Sequence, residues 1–327
     1  MSDITVSFDL IKRIRLHINR TEKQAALLEN RKKWLRLTAA LDVFEDTACA
    51  VGYYFDTEYP SDINGKYLFT YGLIQSLFVQ EDAIQSIFKS LFDKEIDFKI
   101  DYPEAYKVRE MRDDVVGHPT DRYRGEKFIH LAQCSMKKDC FYYTKWDGKH
   151  GTHESIHVNV INAADEVAKC VNDILNTSVK DLDREFIEYI EKHKDQKMKE
   201  IFNHLGYARE KVLLNTDIKQ LEYEKSKSMV EQCEEELIKR YGSIGAANEY
   251  QILLESIHTL YQLIDEGLQR IPSDLRPEIE KCLLENLFSK LEKLESYCEE
   301  TDSYFENYGE EAIEPSDDIQ VVIVEDI

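Results

Sequence analysis

Leu275, Ile279, Leu283, Leu287, Leu291 and Leu294 recur at intervals of four, four, four, four and three residues, a spacing that forms one stripe when the backbone is helical. Leu253, Ile257, Leu260, Ile264 and Leu268 keep the same rhythm just ahead of them. Pro272 and Pro277 punctuate the junction, and Pro277 fits a helix only in its first turn. Residues 21–55 read as one long helix, with Leu27, Leu35, Leu41, Phe44 and Val51 near helical spacing and no Gly or Pro before Gly52. A second helix over 67–93 carries Ile74, Leu77, Ile84, Phe88 and Leu91 as its apolar stripe, and Glu81 falls on the same face. A third, shorter helix starts near Pro103, passes Val108, Met111 and Val115, and stops where Gly117 is followed by Pro119. With 12 Gly and 6 Pro in 327 residues, little interrupts such runs, and the fold class is all-α.

Between 127 and 160 the pattern changes to short segments rich in aromatic and β-branched residues, with turn signals at Asp147-Gly148 and Gly151. A small β-hairpin or three-stranded meander is expected there. Helical periodicity resumes over 161–176 and again through Phe186, Ile190, Met198, Ile201 and Leu205, so the domain boundary is expected near 178–185, between two helices. The chain then divides into an N-terminal arm (1–20), a helical domain (21–180) with its β insertion at 127–160, a C-terminal helical region (181–298) and an acidic tail (299–327). The tail ends in the strand-like segment Ile319 to Ile327, expected to dock on a sheet edge or a protein partner, or else to stay disordered.

The net charge of −22 excludes a protein whose main task is to coat nucleic acid, because neutralising phosphates needs clustered Lys and Arg. Half of that charge lies in the tail, with eleven Asp or Glu and no Lys or Arg over 299–327. Residues 1–37 hold nine basic against four acidic side chains, so any RNA contact is expected to be local, at a basic patch. Cys49, Cys134, Cys140, Cys170, Cys233, Cys282 and Cys298 are scattered and never spaced as C-x-x-C; they suggest buried thiols, with no disulfide framework and no zinc site. No run is apolar enough for a membrane span, and a cytoplasmic protein is expected.

The stretch richest in chemistry is Lys107 to Arg124, with VREMRDDVVGHPTDR at its heart. Arg112 is followed by the polar Asp113 and, after five intervening residues, by His118. Six positions along an α-helix turn the chain by about 600°, leaving the two side chains roughly 120° apart. A break at Gly117 lets His118 swing back. In this stretch the sequence resembles the HEPN family, whose hallmark is an Arg, four to six residues and then a His, often with a polar residue directly after the Arg. The preceding segment YGLIQSLFVQEDAIQSIF, with Gln80, Asp82 and Ala83, is similar to the second helix of bacterial HEPN proteins. The resemblance covers about 20–178, little more than half of the chain.

That resemblance implies a HEPN-like helical bundle and a metal-independent endoribonuclease of the toxin or phage-defence type, working as a homodimer without cofactor. Neutral His118 would take the proton of a ribose 2′-OH, which attacks the neighbouring phosphate and leaves a 2′,3′-cyclic phosphate; an ordinary imidazole pKa of about 6.5 suits this role. Arg112 would stabilise the charge on the phosphate oxygens, and Asp113 would orient Arg112 or His118. Both Arg112 and His118 are expected at an exposed helix end.

Arg109, Arg122 and Arg124 flank the pair as RNA-binding candidates, although seven acidic residues over 99–128 balance the seven basic ones. Gln80 and Glu81 are candidate supports, Glu81 being either partly exposed or a buried partner for Arg109 or Arg112. The plainer alternative makes Arg112 a surface arginine paired with Glu110 or Asp113, and His118 a helix C-cap; a silent interaction protein or a nucleotide sensor would use the same residues. His150, His153 and His157 are read as surface histidines and not as metal ligands, since alternation puts only 153 and 157 on one face. Phe141, Tyr142, Tyr143 and Trp146, with Lys145, either cover the bundle or stack bases.

Overall fold

The computed structural model describes residues 2–117 and 127–311. His118, Arg122 and Arg124 lie outside the described residues, as does the expected acidic tail from 312 onward with the segment 319–327, whereas 299–311, expected to begin that tail, belong to a helix that runs from Arg276 to Glu311. The chain forms two compact units: 1–19 with 27–182, and 20–26 with 183–327. Both are mainly helical, and the first also holds a small antiparallel sheet.

In the first unit α1 (Ser2–Ile18) replaces the expected N-terminal arm, because Leu10, Ile11, Ile14 and Ile18 make a buried 3–4 stripe. The single long helix expected over 21–55 is in fact two, α2 (Thr21–Leu28) and α3 (Arg31–Asp56). The break is set by Asn30, whose side chain accepts from the Lys33 amide and so caps α3. α4 (Ile63–Phe92) is capped in the same way by Asp62, which accepts from Gly65 N, and it ends at Asp93 in the left-handed region (φ 55°). α3 and α4 pack against each other through Leu37, Leu41, Phe44, Ala48, Leu73, Ile74, Leu77, Ile84 and Ile87. After the short α5 (Phe98–Asp101), α6 (Pro103–Arg112) starts with proline, whose missing N–H costs nothing at a first turn. Its last residues widen into a π turn, Asp113–Gly117.

The sheet is a meander of β1 (Lys127–Leu131), β2 (Cys140–Asp147) and β3 (Thr152–Asn159), paired in sequence order. Ile129, Phe141, Tyr143 and Val158 turn inward onto the helical core. The β1–β2 connection is tied to the end of α3, where Lys138 Nζ donates to the Phe55 and Thr57 carbonyls and Tyr54 OH donates to the Lys138 carbonyl.

α7 (Val160–His193) runs unbroken where two helices were expected, since no Gly or Pro interrupts it and Leu175, Val179, Leu182, Phe186 and Ile190 keep the buried rhythm; the two units meet within it. The second unit packs α8 (Leu205–Leu213), α9 (Lys219–Tyr241), α10 (Asn248–Gln262) and α11 (Arg276–Glu311) around Phe202, Leu237, Ile257, Leu287, Phe288, Leu291 and Leu294. Pro277 stands in the first turn of α11. The expectation of buried thiols holds for Cys170, Cys233 and Cys298 and fails for Cys49, Cys134 and Cys282, which are exposed; all seven are free. Among the described residues no helix is long and apolar enough to cross a membrane.

Phe141 anchors the sheet, with its side chain almost wholly enclosed (1% exposed). Phe141→Ala should therefore lower the stability of the first unit by about 3–5 kcal/mol, read as a lower urea midpoint in a full-chain unfolding curve. A shift below about 1 kcal/mol would mean that the sheet is only loosely attached to the helices.

Candidate active site

The site grows from α4, where Gln75, Phe78, Glu81 and Asp82 lie three to four residues apart and share one side of the helix. α6 lies across that side and delivers Arg109 and Arg112, themselves one turn apart. Arg109 is clasped by two carboxylates: its Nε lies 3.0 Å from Glu81 Oε2 and its Nη2 lies 2.6 Å from Asp82 Oδ1. Arg112 Nε donates to Gln75 Oε1 at 3.0 Å, and Nη1 donates to Asp113 Oδ1 at 3.0 Å. Both guanidiniums sit over the Phe78 ring, with Cζ atoms 4.5 and 4.1 Å from its centroid.

Arg112 was expected at an exposed end and is instead half-buried, held on three sides by Gln75, Asp113 and Phe78. Its pairing with Asp113 agrees with both roles open to it, since that carboxylate either orients a catalytic guanidinium or merely neutralises it. The π turn then brings the chain back to the same guanidinium. A Cβ added at Gly117 would lie 3.1 Å from Arg112 Nη1 and 3.6 Å from Asp113 Oδ1, so glycine permits this close approach. His118 is the next residue of the chain.

Asp114, within the same turn, is buried; its carboxylate pairs with Lys145 and lies 3.4 Å from the Tyr143 hydroxyl. The Arg112 segment is thus fixed to α4 on one side and to β2 on the other. Lys145 therefore belongs to this internal tie and does not stand beside the exposed aromatic rings. Gln80, expected as a support, is buried against a different neighbourhood and lines an apolar cavity with Phe44, Ala48, Leu77 and Val171. Gln75, Phe78 and Asp114 escaped the sequence reading, although the first two share the helical spacing of Glu81.

Part of the basic excess of residues 1–37 is engaged in contacts within the fold. Arg15 pairs with Asp42 and Glu45, Lys33 with Asp93 and Lys23 with Glu185, while Arg36 donates to Ser90. Arg109, with two carboxylates of its own, is likewise committed before any phosphate arrives. His153 and His157 face outward from β3 and pack against Trp146 and Tyr142, and among the described residues no group of three His, Cys, Asp or Glu is placed to hold a metal ion. Comparison with protein-family models, curated proteins and solved structures finds no match for this chain.

Glu81 carries a conflict between burial and pairing. Its side chain is fully enclosed, and among the described residues Oε1 meets no hydrogen-bond partner, whereas Oε2 binds Arg109. Burial dominates and pushes the carboxyl up to about 7 despite the arginine. A raised carboxyl favours the folded state when protonated, so its contribution is complete below its ordinary value and is lost as pH rises through the folded one. Glu81→Gln removes this titration. Its stability relative to wild type should rise as pH increases from about 4.5 to about 7 and level off above, in urea unfolding curves taken across that window. A relative stability that stays flat over that window and changes only below about pH 4.5 would show the Arg109 pair outweighing desolvation.

Proposed function

We propose that the chain is a metal-independent endoribonuclease of the HEPN type, with Arg112 and His118 as its reacting pair. The observation that supports this reading is the close approach of Gly117, the residue that precedes His118 in the chain, to the Arg112 guanidinium that would hold a phosphate. Arg112 is also stiffened for that task, since Gln75 and Phe78 fix its plane and reduce the freedom lost on gripping a phosphate. His118 Nε2 or Nδ1 takes the proton of the ribose 2′-OH as that oxygen forms its bond to phosphorus. The 5′-oxygen of the next nucleotide leaves, takes up a proton, and a 2′,3′-cyclic phosphate remains. Asp113 orients Arg112, while Arg122 and Arg124 are proposed to contact the RNA backbone. Arg109 is left out of that set, because Glu81 and Asp82 already occupy it and its role is to position α6.

A single Arg and His make a thin site, and we infer that a second copy of the chain completes it across a two-fold axis along 71–93 and 103–117. A toxin or phage-defence role follows from the same resemblance.

The test is cleavage of a single-stranded RNA in the presence of EDTA. Wild type should yield cyclic-phosphate ends, and Arg112→Ala and His118→Ala should each lower the rate by at least about 100-fold with folding intact. Gly117→Ala, which would press a methyl onto Arg112, should also slow the reaction. The active material should scatter light at twice the monomer mass. Undiminished cleavage by Arg112→Ala or His118→Ala would overturn the reading, and a folded wild type that binds RNA without cutting it would move the chain to a non-catalytic role.

A further inference from the structure

The outward face of the sheet carries rings in two rows with polar groups between them. Phe128, Trp146 and His153 are cross-strand neighbours in one row; His130, Thr144 and Ser155 form the next; Tyr142 and His157 form the third. Trp146 packs against His153 and Tyr142 against His157 with tilted rings, each pair with centroids 4.6 Å apart. Phe128, Tyr142 and Trp146 are 38%, 43% and 42% exposed and so present ring surface to solvent. The alternation of the strands places Lys127, Lys145, Asp147 and Glu154 on the opposite side. The ionisable groups of the ringed face within β1, β2 and β3 are thus imidazoles and the Cys140 thiol and Tyr142 phenol, with no carboxylate, in a chain of net charge −22.

We propose that this face binds single-stranded RNA by stacking unpaired bases on Trp146 and Tyr142, which deepens the nuclease reading and rests on it. The two rings stand four residues apart on β2, about 13 Å, enough for a separate base on each. The row between them supplies hydrogen-bonding groups, His130, Thr144 and Ser155, for base edges. A surface built to receive another protein would place its apolar groups together in one core, and here a polar row divides them. Stacking also suits an acidic chain, since a π-face is recognised without cationic contacts to phosphate. The face is joined to the candidate active site twice, through the Asp114–Lys145 pair and through the chain itself, because β1 begins ten residues after Gly117.

The probe is a fluorescein-labelled, 2′-O-methylated single strand of about 12 nucleotides, which cannot be cut by 2′-OH attack, read by anisotropy with the full chain. Trp146→Ala and Tyr142→Ala should each weaken binding about tenfold, and the duplex of the same sequence should bind more weakly than the strand. Tyr53→Ala, which removes an exposed aromatic carried by α3 and not by the sheet, should leave affinity unchanged. In a Trp34→Phe background the remaining Trp146 should lose fluorescence as the strand binds. Equal affinity across all variants, or a Trp146→Ala change that alters oligomeric state and leaves RNA affinity alone, would overturn the proposal. Because the probe is uncleavable, a chain that binds it as described but never cuts natural RNA would refute the nuclease reading and leave the binding face standing.

Discussion

The clasp between Glu81 and Arg109 is the contact on which the candidate site depends. It fixes α6 across α4, and because Arg112 follows one turn later, the same docking puts both guanidiniums over Phe78. Burying a carboxylate completely is costly, and a core of apolar side chains at this point would stabilise the fold at least as well. What a hydrophobic replacement would not supply is direction. An arginine held by two carboxylates and a ring fixes the rotation of α6, and with it the place where the π turn returns to Arg112.

Much of the architecture was legible because helical rhythm and cap chemistry are local. The stripe of α11 and the first-turn position of Pro277 follow from spacing alone, as does the three-stranded meander from its β-branched and aromatic segments. The errors arose where one residue decides. Asn30 splits the expected long helix because its side chain competes as a cap, and no Gly or Pro announces it. The units do divide within the expected 178–185, but inside α7 and not between two helices, because its buried stripe never lapses. At the site, Arg112 and Asp113 were found from a motif, whereas Gln75 and Phe78 act across a helix–helix contact that a motif does not describe. The inward turn of Lys145 required knowing that Asp114 is buried behind β2.

Charge explains why a nuclease reading and a net charge of −22 are compatible. Several cations of the N-terminal region are paired with neighbouring carboxylates, which weakens their attraction for phosphate. On the proposed reading, recognition would fall to contacts that work at close range: Arg112, with Arg122 and Arg124, for phosphates, and exposed rings on a sheet face for bases.

The central claim, that a ribose hydroxyl is the nucleophile at the Arg112–His118 site, is tested most directly by the 2′ position of the substrate. An RNA of fixed sequence should be cut by the wild-type chain at defined linkages. The same RNA carrying a single 2′-O-methyl group on the 5′ side of one of those linkages should resist cleavage there and be cut normally at the others. Cleavage at the methylated linkage at an undiminished rate would contradict the account, since a nucleophile other than the ribose would then be attacking the phosphate.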